Sequence, residues 1–144
     1  MPDRRRGYVR RGAGVLAPDL TAARRYAEDS AAPAVLLGPR HQRLMLQAAT
    51  EACAVQRYRL HAAAFDPTHV HMLVSWRIER GWLRVRMRLR QAITRQMNAH
   101  FGRRAWFSRG ASRHRVRERR HFDYLVSKYL PGHRGLCWSE GANP

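Results

Sequence analysis

The sequence predicts an α+β sandwich, with helices laid on an antiparallel sheet. Three observations carry it. From His41 to Gln56, Leu44, Leu46, Ala48, Ala49, Ala52 and Cys53 are interspersed with Gln and Glu at helical spacing. Next come two strand-like runs, Arg57 to Phe65 and His69 to Trp76, separated by the turn chemistry of Asp66-Pro67, so they should pair as a hairpin. Finally Trp82, Val85, Leu89, Ile93, Met97 and Phe101 trace one apolar stripe at spacings of three and four. Leu83 to Arg90 also alternates apolar residues with arginine, as a strand would, but the length of the stripe favours a helix over Trp82 to Phe101.

The other elements are read in chain order. Residues 1 to about 17 carry Arg4 to Arg6, Arg10 and Arg11 among glycines, which suits a basic arm or a short edge strand around Tyr8 to Val15. Asp19 can cap a short helix reaching Ser30, and Pro33, Gly38 and Pro39 punctuate the chain around Val35-Leu36-Leu37. Beyond the long helix, Ala105 to Ser108 suggests a short strand, and Ser112 to Arg120 a basic segment forming a hairpin that ends near Val116. Arg120 to Leu130 reads as a helix with Phe122, Leu125, Val126 and Tyr129 inward, stopped by Pro131 and Gly132. Leu136 and Trp138 are expected to dock. The expected organisation is an arm and short helix over 1–34, one domain over 35–138 and a tail over 139–144.

A chain of 144 residues with an apolar fraction of 44% has enough material for one core. Its charge is distinctive: 28 basic residues stand against 10 acidic ones, a formal net charge of +18. Between Glu79 and Glu118 there is no acidic residue and there are 12 arginines. Such a surface cannot neutralise itself, and a phosphate backbone is the natural partner. Arg84, Arg86, Arg88, Arg90, Arg109, Arg113, Arg115 and Arg117 are therefore the candidate nucleic-acid contacts. Cys53 and Cys137 form no Cys-x-x-Cys pair, which argues against a thiolate zinc site and for a reducing compartment. No apolar run has the length of a signal peptide core or a membrane span, so the expected protein is soluble and cytoplasmic. Trp76, Trp82 and Trp106 could stack on bases, although core packing is the default role of an indole.

Chemistry concentrates in Asp66-Pro67-Thr68-His69-Val70-His71. Alternate residues of a strand share a face, so His69 and His71 should point the same way. Imidazole is the commonest protein metal ligand, and a strand mounts two of them rigidly. The spacing alone is equally compatible with two ordinary histidines on a solvated face. His41, His61, His100, His114 and His121 stand singly among polar or basic neighbours and receive no site role.

Taken together, the histidine pair, the long helix after it and the tyrosine-rich end resemble the single-tyrosine HUH transposases, in particular the REP-associated tyrosine transposase branch. The family's His, hydrophobic residue, His is His69-Val70-His71 here, and its preceding Pro-Asp/Asn step appears as Pro67-Thr68. The resemblance spans roughly residues 35 to 138. It implies a ferredoxin-like (RRM-like) core with helices packed on one face of an antiparallel sheet. It also implies a nucleophilic tyrosine followed about four residues later by a polar ligand. Tyr129 is followed by His133, whereas the runner-up Tyr124 is followed by Lys128, a poor ligand. Pro131 stands between Tyr129 and His133, where it should disrupt helical i, i+4 geometry.

By this resemblance His69, His71 and His133 would hold a divalent ion, Mg²⁺ or Mn²⁺, against a scissile phosphate, although an all-histidine set also suits softer metals. Tyr129 would attack to give a 5′-phosphotyrosine link and a free 3′-OH. A free phenol ionises only near pH 10 or so, so cations must favour the phenolate. Single-stranded or hairpin DNA is the implied substrate and a homodimer the implied assembly. Two other classes fit the same charge. One is a non-catalytic nucleic-acid-binding protein derived from a transposase. The other is a basic structural protein of a ribonucleoprotein particle, which would have no need of paired strand histidines.

Overall fold

The computed structural model describes residues 14–18, 35–77, 81–107 and 111–141. Its strands are β1 (Gly14–Pro18), β2 (Tyr58–Asp66), β3 (His69–Trp76), β4 (Ala111–His114) and β5 (Cys137–Ser139). Helix α1 (Pro39–Gln56) precedes β2, α2 (Trp82–Phe101) comes after β3, and α3 (Arg119–Tyr124) after β4. Their spatial order is β4-β1-β3-β2-β5, and every neighbouring pair is antiparallel. Through β4 this is the expected ferredoxin-like order, with β5 added outside β2.

One face of the sheet is the main core. Ala63, Phe65, Val70, Met72, Val74 and Trp76 meet Met45, Ala48 and Ala49 of α1. The α2 stripe of Val85, Leu89, Ile93 and Met97 completes it, each residue buried as its spacing predicts. The chain also covers the second face. There Ala62, Ala64 and Leu73 pack under Val116, Leu125 and Leu130, so the C-terminal helical segment sits opposite α1 and α2.

The structure alters several sequence expectations. The first described strand, Gly14–Pro18, lies inside the sheet between β3 and β4 and not at an edge, while Tyr8 to Ala13 of the expected strand lie outside the described residues. The sheet thus reaches back into the segment 1–34 and forward to β5, beyond the 35–138 boundaries. The short helix from Asp19 to Ser30 lies outside the described residues. Ala105 to Phe107 is not a strand: consecutive Trp106 and Phe107 both enter the main core, whereas successive strand residues point to opposite faces, and Trp106 Nε1 donates to Asn98 Oδ1 at 2.8 Å. Strand β4 pairs with β1 instead of closing a hairpin.

A bulge in β2 falls between Leu60 and Ala62. The extra residue, His61, shares the face of its neighbour Ala62 and is 3% exposed. The Glu140 carboxylate lies 2.7 Å from His61 Nδ1 and can only accept, so that nitrogen carries the proton. Nε2 then accepts from the Ser75 hydroxyl at 2.7 Å. Arg59 Nε donates to both Glu140 oxygens at 3.0 and 3.1 Å, and the Glu140 amide donates to the His61 carbonyl. This clasp fastens β5 to β2. Burial holds the His61 imidazole below its ordinary range, against the opposing pull of Glu140. Burial pushes the Glu140 carboxyl up, but donation from Arg59 and the His61 contact outweigh it and leave it below the carboxylate range.

Gln42, buried in the first turn of α1, ties the same C-terminal segment to the main core. Its Nε2 donates to the Leu37 carbonyl at 3.0 Å, and its Oε1 accepts from the Leu136 amide at 2.9 Å. Beside it the Gly135 amide donates to the Phe65 carbonyl at 2.7 Å. A Cβ at Gly135 would meet Gln42 Oε1 at 2.5 Å and the Phe65 carbonyl at 2.6 Å, one of them backbone.

Both anchors are open to measurement. The two folded-state values in the clasp are depressed, so its stabilisation is complete above the ordinary imidazole value of about 6.5 and is lost as pH falls below it, Glu140 adding a further loss near about 4.3. Hydrogen exchange corrected for intrinsic rates should show the Glu140 and Phe65 amides losing protection between neutral and mildly acidic pH, and His61→Asn should remove that dependence. Gly135→Ala should cost about 1 to 3 kcal/mol in urea unfolding, as overpacking against backbone does; an unchanged midpoint would show that the segment shifts freely.

Candidate active site

The β2–β3 hairpin turns through Pro67 and Thr68, with Asp66 opposite His69 and Ala64 opposite His71. The Thr68 amide donates to Asp66 Oδ1 at 3.1 Å, the turn chemistry that Asp-Pro foretells. In this register His69 and His71 share the face of Ala64 and Leu73, the one covered by the C-terminal segment. Their rings are stacked at 5.9 Å, with 9° between planes.

Their surroundings orient the imidazoles. His69 Nδ1 stands 2.9 Å from Thr68 Oγ1 and 3.4 Å from Asp66 Oδ1. A carboxylate only accepts, so it favours the tautomer that keeps the proton on Nδ1 and the lone pair on Nε2. His133 shows the same pattern, with Nδ1 at 3.0 Å from the Leu130 carbonyl, which can only accept. This is how metal-binding imidazoles are commonly held. Sequence reasoning passed over these orienting groups, Asp66 and Thr68, because Thr68 departs from the Asp/Asn of the resemblance.

The expected helix from Arg120 to Leu130 is three structures in succession. An α-helical turn over Arg119–Tyr124 widens to a π-helix over Leu125–Tyr129 and tightens to a 3₁₀ turn over Leu130–Gly132. The Leu130 amide donates to the Leu125 carbonyl, five residues back. The inward positions accordingly fall at Leu125 and Leu130, at 6% and 2% exposure, five apart rather than four. Tyr129, expected inward, is instead 41% exposed. Pro131 does break the regular helix, as expected. Even so, the Tyr129 and His133 rings lie 5.2 Å apart, because the 3₁₀ turn returns the chain toward the tyrosine.

The structure therefore brings His69, His71, Tyr129 and His133 together. His71 is 4.6 Å from the His133 ring and 5.8 Å from the Tyr129 ring. Tyr124 lies one ring further out, 6.4 Å from Tyr129 and 52% exposed. A cavity of about 610 Å³ opens here, lined among others by Asp66, Thr68, Tyr129 and His133, with the cations Lys128 and Arg134 at its wall. Among the described residues no group of three His, Cys, Asp or Glu side chains is arranged to hold a metal ion. Imidazoles are donors of the kind a divalent ion takes, and two of the three stand on one face of β3.

The candidate arginines divide. Arg84, Arg86, Arg88 and Arg90 lie on α2, across the sheet from Tyr129. Arg115 and Arg117 are exposed just before α3. Arg113 belongs to β4, and Arg109 lies outside the described residues. Trp76 and Trp106 are core residues, and Trp82 packs partly against the core. The buried Cys53 thiol is pushed up to about 12 by burial, away from the thiolate form that metals and electrophiles take.

No family model matches the chain, and no curated protein matches it by sequence. Among solved structures the fold is similar to that of a REP-associated tyrosine transposase bound to a REP hairpin, at a TM-score of 0.51 and 15% identity, covering 88% of this chain and 71% of that one. At that identity the likeness is one of fold: this chain has an α+β fold of the kind that transposase has.

Proposed function

We propose that the protein is a metal-dependent single-stranded DNA nickase and strand transferase, with Tyr129 as nucleophile. The observation that carries this reading is one cluster: an exposed tyrosine and three imidazoles, two of them with Nδ1 facing an oxygen acceptor, with Tyr129 and His133 lining a cavity walled by cations. The solved transposase of similar fold is bound to a REP hairpin, which supports a hairpin-bearing nucleic acid, read here as DNA, as the substrate.

The residues then define the chemistry. His69 and His71, with His133 as third donor, would hold Mg²⁺ or Mn²⁺, which when bound polarises a non-bridging phosphate oxygen and offsets the charge of the transition state. Lys128 and Arg134 place positive charge at the same cavity, favouring a phosphate in front of Tyr129. The Tyr129 oxygen forms a bond to phosphorus, the bond from phosphorus to the 3′ oxygen breaks, the phenol loses its proton and the departing oxygen gains one. The result is a 5′-phosphotyrosine and a free 3′-OH, with the bond energy kept for rejoining. Tyr124 is the runner-up, one ring farther from the histidines. This reading carries with it a cytoplasmic setting and a homodimer; among the described residues no helix is long and apolar enough to cross a membrane.

A second reading is a non-catalytic nucleic-acid-binding protein. The observation that favours it is the lack, among the described residues, of a closed three-donor set.

One experiment separates the two. Purified protein, a 3′-³²P-labelled hairpin-bearing single strand and Mn²⁺ should give a labelled covalent protein–DNA adduct that EDTA abolishes. Tyr129→Phe should lower adduct yield by at least about a hundredfold, and Tyr124→Phe by less than about threefold. DNA binding without any adduct in the wild type would establish the second reading, and a surviving adduct in Tyr129→Phe would move the nucleophile.

A further inference from the structure

The outward side of α2 walls a groove of about 850 Å³. Arg84, Arg86, Arg90, Arg95 and Arg103 line it, and no acidic residue appears among its described lining. Arg88, included with its neighbours in the sequence pattern, lies instead with Glu51 in a separate hollow between α1 and α2.

The groove is a place where positive charge has been gathered and partly dried. Arg86 Nε is buried and has no hydrogen-bond partner among the described residues, while its guanidinium lies 5.3 Å over the Trp82 ring. A buried donor without an acceptor is rare in a folded chain and calls for one. Arg90 lies 5.8 Å over the Phe107 ring, and burial first, then the charge of Arg86, draws its guanidinium below the usual range. An anion in the groove would relieve both conditions, accepting from Arg86 and offsetting the mutual repulsion. A second copy of this chain would not, because it brings another +18 of like sign.

Position then decides which part of a nucleic acid is held. The sheet separates α2 from Tyr129, and one phosphate cannot reach both sides. We propose that this groove is a second nucleic-acid site, gripping the phosphate backbone of a DNA segment other than the one presented to Tyr129. It contributes affinity and takes no part in the chemistry. The inference rests on the proposed function only for the choice of DNA as the nucleic acid.

Arg84, Arg95 and Arg103 are all exposed, so the triple variant R84Q/R95Q/R103Q tests the groove without disturbing the core. Fluorescence anisotropy in EDTA, with a mixed-sequence single strand and its duplex as probes, should show the variant binding its tighter probe about tenfold or more weakly. The slope of log K against log salt should fall by about 2 to 3, as each phosphate contact contributes roughly 0.7 to 0.9. Arg86→Lys, which keeps the charge and removes Nε, should weaken binding by several-fold. Unaltered affinity and slope in the triple variant would overturn the proposal, as would a change in self-association, measured by sedimentation, with DNA affinity intact. A wild type that binds through the groove but forms no adduct would sink the nicking reading and leave this one standing.

Discussion

The pairing of Asp66 with His69 across a two-residue turn is the constraint on which the site depends. It fixes the register of the central hairpin, and a slip of one residue would send His69 and His71 into the face packed by α1 and α2. Buried there without partners, two imidazoles would cost far more than the valine and methionine they displaced. The apolar run Val70, Met72, Val74 and Trp76 therefore holds the histidines in place as firmly as the turn does, since its burial permits no other register. The turn also orients the site: the Asp66 carboxylate that accepts the Thr68 amide stands beside His69 Nδ1.

The C-terminal segment answers that hairpin from the other side. A regular helix would carry Tyr129 to the inward position one α-turn after Leu125. The π turn hands that position to Leu130 and leaves the tyrosine at the cavity. Proline at 131 cannot donate a backbone hydrogen bond, and the 3₁₀ turn in which it sits brings His133 back toward the tyrosine. Two anchors keep this irregular piece docked, Gln42 with Gly135 on one side and the His61–Glu140 clasp on the other. Local backbone irregularity is thus supported by long-range hydrogen bonds, as a site built away from ideal geometry requires.

The sheet also partitions charge. Lys128 and Arg134 stand with the tyrosine, while the arginines of α2 form a groove behind it. A chain of this net charge attracts polyanions over its whole surface, but only the layered fold separates the face that carries the tyrosine and histidines from the face that carries the arginine groove. The arginine-rich stripe and the histidine pair look like parts of one site in the sequence because they are close along the chain. In space a β-sheet lies between them.

Much of this was legible in the residues themselves. Period-two and period-three-to-four patterns located β2, β3, α1 and α2, because each of these elements buries one continuous apolar face and the pattern is the direct imprint of that burial. The same alternation placed both histidines on one side, and the run of arginines without an acid named a polyanionic partner. Where the chain's partners are far away in sequence, the pattern fell silent. Gly14–Pro18 is a central strand only because β3 and β4 flank it, and Trp106 and Phe107 leave the strand pattern because the core receives both. Tyr129 faces the cavity because Leu125 and Leu130 are held five residues apart against Ala62, Ala64 and Leu73. Residue spacing determined which side chains could share a face; packing against distant elements alone decided which face looks onto the cavity, because that choice is made by contacts no local pattern records.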